Sequence, residues 1–223
     1  MTAPLYVPPT LTVDSVTFQI IDDQLSVLLV ERQADPFKGM LALPGGYNSK
    51  DETTLQALDR IMTTKAGLST SSVNRTEQLY TFDSVDRDPR GHSVSVVYMS
   101  CGRDISLTGG TSKPRFVPAG SLPSLAYDHA AIIRYAHERL ISRVGYTNIV
   151  SAFLAPEFTL TQLQRAYEAI LGRELDKRNF RKKFLSLELI HETGELWRDG
   201  AHRPAKLYRF NSKDLEVLSR SFD

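Results

Sequence analysis

A glycine pair between an apolar strand and an amphipathic helix restricts the possible folds of this chain more than any other segment does. Pro44-Gly45-Gly46 follows the apolar run Met40-Leu41-Ala42-Leu43, which is typical of a buried strand. Apolar residues then recur at helical spacing, at Leu55, Leu58 and Met62. Gly67 indicates the end of that helix. Because glycine lets other groups approach the backbone closely and helix-terminal amides favour anions, this unit predicts a site for a phosphate.

The flanking residues predict a sheet and a second helix. LTVDSVTFQII and SVLLVERQ are strand-like runs separated by Asp22-Asp23-Gln24, which indicates a hairpin. SVSVVYMSC is a further strand, and a helical pattern begins at Asp128, which we interpret as a helix N-cap. The segment GYTNIVSAFLAPEF, near residue 150, then reads as a connector.

The residues after the connector have a different pattern. Thr159-Leu160-Thr161-Gln162 has the form of a capping box, and Gly172 is a plausible end for the helix that follows. Asp176 can cap a second helix, KRNFRKKFLSLEL, and two strand-like runs surround Arg198-Asp199-Gly200. Two helices joined by a short turn and followed by a hairpin describe a winged helix-turn-helix. We therefore expect two domains, residues 1–150 and 151–223.

Composition excludes several classes of protein. Charged residues make up 24% of the chain and hydrophobic residues 41%, which is ordinary for a folded soluble protein. No apolar run reaches the ~18 residues that a membrane span needs, and the N-terminus lacks the pattern of a secretory signal. The single cysteine, Cys101, fits a reducing compartment. We expect a cytoplasmic protein without a membrane partner.

A net charge of +1 argues against a chain that is basic throughout, but it allows a local basic patch. Phe180, Phe184 and Leu187 share one face of the second C-terminal helix, which leaves polar donors on the other face. Arg and Asn can read base edges in the major groove, whereas lysines neutralise phosphates. The candidate DNA-binding residues on this helix are Lys177, Arg178, Asn179, Arg181, Lys182 and Lys183. The hairpin adds Arg198, His202, Arg203 and Lys206.

The alternative interpretation of this patch is a solvated run of charges on a small packing domain. The capped helix, the turn and the hairpin around the patch favour double-stranded DNA as the partner.

The strand–glycine–helix unit resembles the Nudix box, which reads Gly, five residues, Glu, seven residues, then Arg-Glu-apolar-any-Glu-Glu-any-Gly-apolar. The matching positions here are Gly46, Glu52, Arg60, Met62, Gly67 and Leu68. Ile61, Thr64 and Lys65 stand where the family has three glutamates. Since Mg²⁺ requires oxygen ligands, we expect no metal, no cofactor and no hydrolysis by the family's usual route.

Two alternatives to a sensing domain remain for this region. Carboxylates elsewhere, such as Asp83, Asp86 or Asp88, would restore a hydrolase. A Nudix fold retained only for dimerisation would need no ligand.

The whole chain is similar to the NrtR family of Nudix-related transcriptional regulators of NAD metabolism. The similarity rests on five segments: ERQADPFKGMLALPGGY, EQLYTFDSVDRDPRGHSVSVVY, LAYDHAAII, FTLTQLQRAYEAILGRELDKRNFRKK and HETGELWRDGAHRPAKLYRF. It implies an α+β protein in which a Nudix-like α/β/α sandwich precedes a C-terminal winged helix-turn-helix. It also implies a homodimeric repressor of NAD biosynthesis or salvage genes. Such a repressor senses ADP-ribose or a related nucleotide and then releases operator DNA. Some relatives regulate sugar utilisation instead.

The candidate ligand residues are guanidinium donors for a diphosphate, aromatic rings for adenine, backbone at the glycine turn and one histidine. They are Arg32, Phe37, Gly45, Gly46, Arg60, Tyr80, Arg87, Arg90 and His92. Structural roles remain open for several of them. Arg60 has Glu52 as a possible ion-pair partner, and both aromatic residues are candidates for a core or an interface. No catalytic residue is expected.

Overall fold

The computed structural model describes residues 7–198 and 204–218, and these contain nine β-strands and four α-helices. The strands are β1 (Thr10–Ile21), β2 (Gln24–Glu31), β3 (Leu41–Ala42), β4 (Gly45–Tyr47), β5 (Arg75–Phe82), β6 (Ser93–Cys101), β7 (Arg115–Pro118), β8 (Ile190–Trp197) and β9 (Ala205–Phe210). The helices are α1 (Thr54–Ala66), α2 (His129–Tyr146), α3 (Leu160–Leu171) and α4 (Lys177–Leu185). No helix in these ranges is long and apolar enough to cross a bilayer.

The first seven strands form one mixed sheet. Its central order is β3-β2-β1-β6-β5, with β4 paired to β1 and β7 paired to β2. The predicted hairpin is confirmed, since β1 and β2 are antiparallel from Phe18↔Val27 to Ile21↔Gln24. Its two turn residues, Asp22 and Asp23, both have positive φ, as a tight two-residue hairpin turn requires. Strand β6 runs parallel to β1 and places the two strands side by side at the centre of the sheet.

Each face of the sheet is covered by one helix. Successive residues of a strand point to opposite faces, so Leu28 packs with α1 whereas Val27 and Leu29 pack on the side of α2. The core under α1 contains Val13, Leu28, Leu58, Ile61 and Met62. The expected α/β/α layering is therefore confirmed.

Helix α1 ends where the sequence predicts, and a capping box that was not predicted marks its start. Thr53 forms a capping box with Gln56, and Gly67 ends the helix in the left-handed conformation at φ 62°. Of the three apolar residues at helical spacing, Leu58 and Met62 are buried, whereas Leu55 is 52% exposed. The buried stripe is made by Ala57, Leu58, Ile61, Met62 and Ala66, and Leu55 lies at its edge in the first turn.

The C-terminal helices also have the expected caps. Thr159 forms a capping box with Gln162, Gly172 ends α3, and the side chain of Asp176 accepts a hydrogen bond from the backbone of Asn179 at the start of α4. Helix α4 ends at Leu185, earlier than the run KRNFRKKFLSLEL indicated. Strands β8 and β9 pair as an antiparallel hairpin after α4, which completes the winged-helix arrangement.

One hydrophobic core continues from the sheet into the C-terminal helices. It includes Ile133 and Leu140 of α2, Phe153 in the connector, Tyr167 of α3 and Phe184 of α4. The connector is a 3₁₀ helix, Ile149–Phe153, in which Ile149, Val150, Ala152 and Phe153 are buried. The proposed domain boundary near residue 150 therefore lies within a buried, packed segment.

Candidate functional site

A cleft of about 590 Å³ opens between the edge of the sheet, the start of β4 and one side of α1. This volume is within the range of about 300–1,000 Å³ that is common for small-molecule sites. The structure brings six of the nine candidate ligand residues to its lining: Arg32, Gly45, Gly46, Arg60, Arg87 and Arg90.

The other three candidates do not line the cleft. Phe37 packs edge-on against the ring of Tyr127, which does line it, with ring centroids 4.9 Å apart. Tyr80 lies in an aromatic cluster with Phe82 and Tyr135, at centroid distances of 5.6 and 5.3 Å. His92 is exposed at the end of a loop. The structure therefore places neither of the two proposed adenine-stacking rings in the lining of the cleft.

Gly45 is required for a reason that differs from the predicted one. A Cβ atom at this position would collide with the carboxylate of Asp14 on the neighbouring strand. The absence of a side chain thus accommodates a buried acidic group rather than a ligand. A Cβ atom at Gly46 would meet Ile61 at 3.4 Å, an ordinary contact.

Asp14 belongs to a buried charged cluster at the floor of the cleft. Arg87 donates two hydrogen bonds to Asp128, at 3.0 and 3.1 Å, and lies 3.7 Å from Asp14. Ser95 donates to Asp14, and His129 Nε2 lies 3.8 Å from Asp14 Oδ1. Such a cluster is stabilised because each buried charge has a partner of opposite charge or a hydrogen bond.

Sequence reasoning missed Asp14 and assigned a different role to Asp128. Asp128 occupies the N-cap position of α2, but its side chain makes no capping hydrogen bond and pairs with Arg87 instead. His129 Nδ1 accepts a hydrogen bond of 2.8 Å from the backbone of Leu43, and burial lowers the pKa of its imidazole. The signal for Asp14 was its position inside an otherwise apolar strand, where an acidic residue needs a specific partner.

Several arginines of the cleft already have acidic partners. Arg60 pairs with Glu52 at 2.5 Å, which matches the alternative considered for it and lowers the pKa of Glu52 to about 2. Arg90 pairs with Asp88 at 2.7 Å. Asp88 lines the cleft, whereas Asp83 and Asp86 are exposed and lie outside its lining.

The face of α1 that carries glutamates in the Nudix box carries no carboxylate here. Ile61 is buried in the core, Thr64 lines the cleft, and the ammonium of Lys65 donates to the carbonyl oxygen of Gly45. Burial lowers the pKa of Lys65. No group of three or more His, Cys, Asp or Glu side chains in residues 7–198 and 204–218 is arranged to hold a metal ion. These residues do not fit a divalent cation, which needs several oxygen ligands.

The second candidate site is the outer face of α4. Phe180 and Phe184 are buried against Tyr167 of α3 and anchor the helix. The exposed positions are Lys177, Arg178, Asn179 and Lys182, as the helical spacing predicts. This arrangement presents cationic and amide donors to solvent on a fixed helix, which is what base and phosphate contacts require.

Three of the remaining candidates on this face and on the wing have other contacts. Arg181 is half-buried and donates to Thr161 Oγ1 at 2.9 Å, so it helps to join α4 to α3. Lys183 is half-buried. Lys206 pairs with Glu192 at 2.8 Å across the hairpin, which reduces its availability for a phosphate. His202 and Arg203 lie outside the described residues, and Arg198 is exposed next to them.

Comparisons with known proteins match both parts of the chain. A family model described as the NUDIX domain matches residues 11–138, and one described as the NrtR DNA-binding winged helix domain matches residues 150–210. The chain is 32% identical over 219 residues to the ADPR responsive transcriptional repressor NtrR of Acinetobacter baylyi, covering 95% of this chain and 86% of that protein. It is also 35% identical over 133 residues to the ADP-ribose pyrophosphatase of Methanocaldococcus jannaschii, covering 58% of this chain and 74% of that protein.

Two solved structures of the NrtR protein of Shewanella oneidensis are also similar. The protein in complex with a 27mer DNA has a TM-score of 0.76 and 34% identity, covering 90% of this chain and 93% of that chain. Its NUDIX domain in complex with ADP ribose has a TM-score of 0.54 and 34% identity, covering 60% of this chain and 90% of that chain. Since these similarities extend over the sheet, α1, α3, α4 and the hairpin in one continuous order, the chain belongs to the NrtR family, in which a Nudix domain precedes a DNA-binding winged helix domain.

Proposed function

We propose that this protein is a DNA-binding transcriptional repressor whose Nudix domain binds ADP-ribose or a related NAD-derived nucleotide and thereby releases operator DNA. The observation that carries the proposal is the cleft. In it, Lys65 lies on the face of α1 that carries glutamates in the Nudix box, and its ammonium donates to the carbonyl oxygen of Gly45. A cleft with cationic side chains, in which the described residues form no group of three metal-ligating side chains, is suited to hold a diphosphate without cleaving it. The repressor of Acinetobacter baylyi and the ADP-ribose complex of the Shewanella oneidensis domain support this choice of ligand.

The proposed DNA reader is α4 with the β8–β9 hairpin. Arg178 and Asn179 are exposed in the first turn of α4, and Lys182 lies one turn further on. The N-terminal residues of a recognition helix are those that reach base edges in the major groove. The complex of the Shewanella oneidensis protein with a 27mer DNA supports this interpretation.

Helix α2 is the element that can connect the two sites. Asp128, which precedes its first turn, pairs with Arg87 at the floor of the cleft. Further along, His137 Nε2 lies 2.7 Å from the carbonyl oxygen of Ile170, and near its end the carbonyl of Val144 accepts from the Tyr167 hydroxyl at 3.3 Å. A ligand that moves the start of α2 would therefore move α3, against which α4 packs.

The proposed state that binds DNA is a homodimer, since two winged helices spaced by about one helical turn of DNA match successive major grooves. The proposed target genes serve NAD biosynthesis or salvage, and the proposed place of action is the cytoplasm. A regulator of sugar utilisation with the same architecture would differ in its ligand and its target genes.

The experiment that tests the proposal is a mobility-shift assay in which ADP-ribose is titrated into the complex with operator DNA. We expect release of DNA with ADP-ribose and no release with ribose 5-phosphate at the same concentration. An operator complex that persists at millimolar ADP-ribose would contradict the proposal.

A second candidate function is an active ADP-ribose pyrophosphatase with a DNA-binding domain, which the relative from Methanocaldococcus jannaschii favours. The assay that separates the two candidates measures AMP release from ADP-ribose in Mg²⁺ and in Mn²⁺. We expect no turnover above background. Turnover of about 1 per second or more, an ordinary rate for an enzyme, would establish the hydrolase instead.

A further inference from the structure

Tyr127 carries a buried hydroxyl group for which the described part of the chain supplies no hydrogen-bond partner. The side chain lines the cleft, between β3 and the start of α2. Burying a hydroxyl without a hydrogen bond is unfavourable, so such groups are uncommon and need an explanation. The explanation that fits a ligand site is a hydroxyl that forms its hydrogen bond only when a ligand is bound.

The ring of Tyr127 is held in place from several directions. Phe37 contacts it edge-on at a centroid distance of 4.9 Å, and His129 lies 5.3 Å away. The guanidinium carbon atoms of Arg32 and Arg90 lie 4.7 and 5.9 Å from the ring centroid. The hydroxyl therefore has a fixed position in the cleft, and little conformational entropy remains to be lost when a ligand binds.

The backbone of Tyr127 is strained. Its φ angle is 53°, in the left-handed region, which is unusual and unfavourable for an aromatic residue. The residues after it are fixed, because Asp128 pairs with Arg87 and His129 accepts the backbone N–H of Leu43. The fold thus maintains an unfavourable conformation at a residue whose buried hydroxyl lacks a hydrogen-bond partner within the described residues.

The charges around Tyr127 favour an anionic acceptor. Arg32 donates its hydrogen bonds to the backbone carbonyls of Pro36 and Ala34, at 2.7 and 3.0 Å, and forms no ion pair within the described residues. Its positive charge is therefore not neutralised by a carboxylate, in contrast to that of Arg90. Burial raises the pKa of the Tyr127 hydroxyl further above neutral pH, where a tyrosine hydroxyl is already a hydrogen-bond donor.

We propose that Tyr127 is a ligand-binding residue whose hydroxyl donates a hydrogen bond to a diphosphate oxygen of the bound nucleotide, with Arg32 supplying the adjacent positive charge. This inference rests on the proposed function, since it assumes a nucleoside diphosphate sugar in the cleft. It names the Tyr127 hydroxyl as the group that contacts the diphosphate. It also explains the strained backbone of Tyr127 as part of the ligand site.

Replacing Tyr127 by phenylalanine distinguishes a ligand-binding role of the hydroxyl from a purely structural one. Removing the hydroxyl eliminates an unsatisfied buried donor, so the variant Tyr127→Phe should be at least as stable as the wild type without ligand. The same change removes a hydrogen bond to a charged acceptor and should weaken nucleotide binding by at least about tenfold. We therefore expect Tyr127→Phe to lower the affinity for the nucleotide without lowering the stability of the ligand-free protein.

The matched control is Tyr98→Phe. The Tyr98 hydroxyl is paired with Thr54 Oγ1 at 2.7 Å and lies outside the cleft lining. This variant should lose stability and retain nucleotide affinity, which is the reverse of the pattern expected for Tyr127→Phe.

The experiment measures the Kd values of ADP-ribose and of ADP by titration calorimetry, and the Tm without ligand, for the wild type and both variants. We expect an unchanged or higher Tm for Tyr127→Phe and an equal loss of affinity for both nucleotides. Equal affinities of the wild type and Tyr127→Phe would overturn the inference, and a loss confined to ADP-ribose would overturn the assignment to the diphosphate. If the wild type binds neither nucleotide, the proposed function itself fails.

Discussion

At the scale of single residues, Lys65 stands at a position where the Nudix box has a glutamate. The ammonium of Lys65 donates to the carbonyl of Gly45 and is half-buried next to Asp14 and Arg32. A fixed positive charge in a partly desolvated cleft can interact with a diphosphate as a divalent cation does elsewhere. We therefore expect ADP-ribose to bind without a metal ion.

We predict that wild-type affinity for ADP-ribose is the same in EDTA and in Mg²⁺. Lys65→Met should weaken ADP-ribose binding by about tenfold in both conditions, because the charge-assisted hydrogen bond expected between the Lys65 ammonium and the diphosphate is lost. Titration calorimetry measures both quantities, and Lys50→Met, an exposed lysine outside the cleft lining, is the control. A wild-type protein that binds ADP-ribose only in Mg²⁺ would contradict this prediction.

The two glycines of the turn should respond differently to alanine. Gly45→Ala places a methyl group against the Asp14 carboxylate, whereas Gly46→Ala makes a contact of 3.4 Å with Ile61. Overpacking costs about 1–3 kcal/mol, and a chain of this size loses about 2–4 °C of Tm per kcal/mol. We therefore expect Gly45→Ala to lower the Tm by several degrees and Gly46→Ala to change it little, as measured by calorimetry. A larger loss for Gly46→Ala would show that the close approach to Asp14 is not what requires glycine.

At the scale of elements, α4 divides into a buried face and a solvent face. Phe180 and Phe184 anchor the helix, and Arg181 is partly committed to Thr161. The side chains with the fewest internal contacts are therefore near the start of the helix, where a recognition helix reads bases.

We predict that Arg178→Ala and Asn179→Ala relax the preference for individual operator bases. Lys182→Ala should weaken binding about equally on all sequences and reduce the slope of log Kd against log salt by about one. Mobility shifts on operator variants at several salt concentrations test both predictions. Arg181→Ala should additionally lower the Tm, since its hydrogen bond to α3 is lost. If all of these variants behave alike, the assignment of base-reading residues to this face is wrong.

At the scale of the whole molecule, the continuous core limits how the two sites can move. The core that supports α2 also contains Phe153, Tyr167 and Phe184, so the winged helix is not attached by a free linker. Arg165 of α3 also reaches the β1–β2 turn, 3.6 Å from Asp23. Coupling between the cleft and α4 therefore requires a shift of packed elements rather than a change of linker conformation.

We predict that operator DNA weakens ADP-ribose binding by the same factor by which ADP-ribose weakens operator binding, because linkage between two sites is reciprocal. Trp197 is the single tryptophan of the chain and is half-exposed at the end of β8, so its fluorescence provides a direct signal for operator binding. The two factors come from fluorescence titrations with and without ADP-ribose and from calorimetry with and without DNA. Unequal factors would exclude a simple two-site model.

The local elements of this protein were predictable from its sequence. The β1–β2 hairpin, the capping boxes at Thr53 and Thr159 and the terminal Gly67 depend on neighbouring residues alone. The buried face of α4 and the lost carboxylates of α1 follow from helical spacing in the same way. The sequence alone therefore determined the order of the two domains, the bounds of most helices and the buried face of α4.

The tertiary structure decided which charges meet. Asp14, Arg87 and Asp128 are far apart in the sequence and form one buried cluster, so an expected helix cap became an ion-pair partner. Tyr80 and Phe37 lie outside the lining of the cleft. Tyr127 lies in the lining, and its hydroxyl has no hydrogen-bond partner among the described residues. These contacts depend on how parallel and antiparallel strands bring distant segments together, and no local pattern encodes that arrangement. The sequence determined where the elements begin and end, and only packing decided which side chains face the ligand.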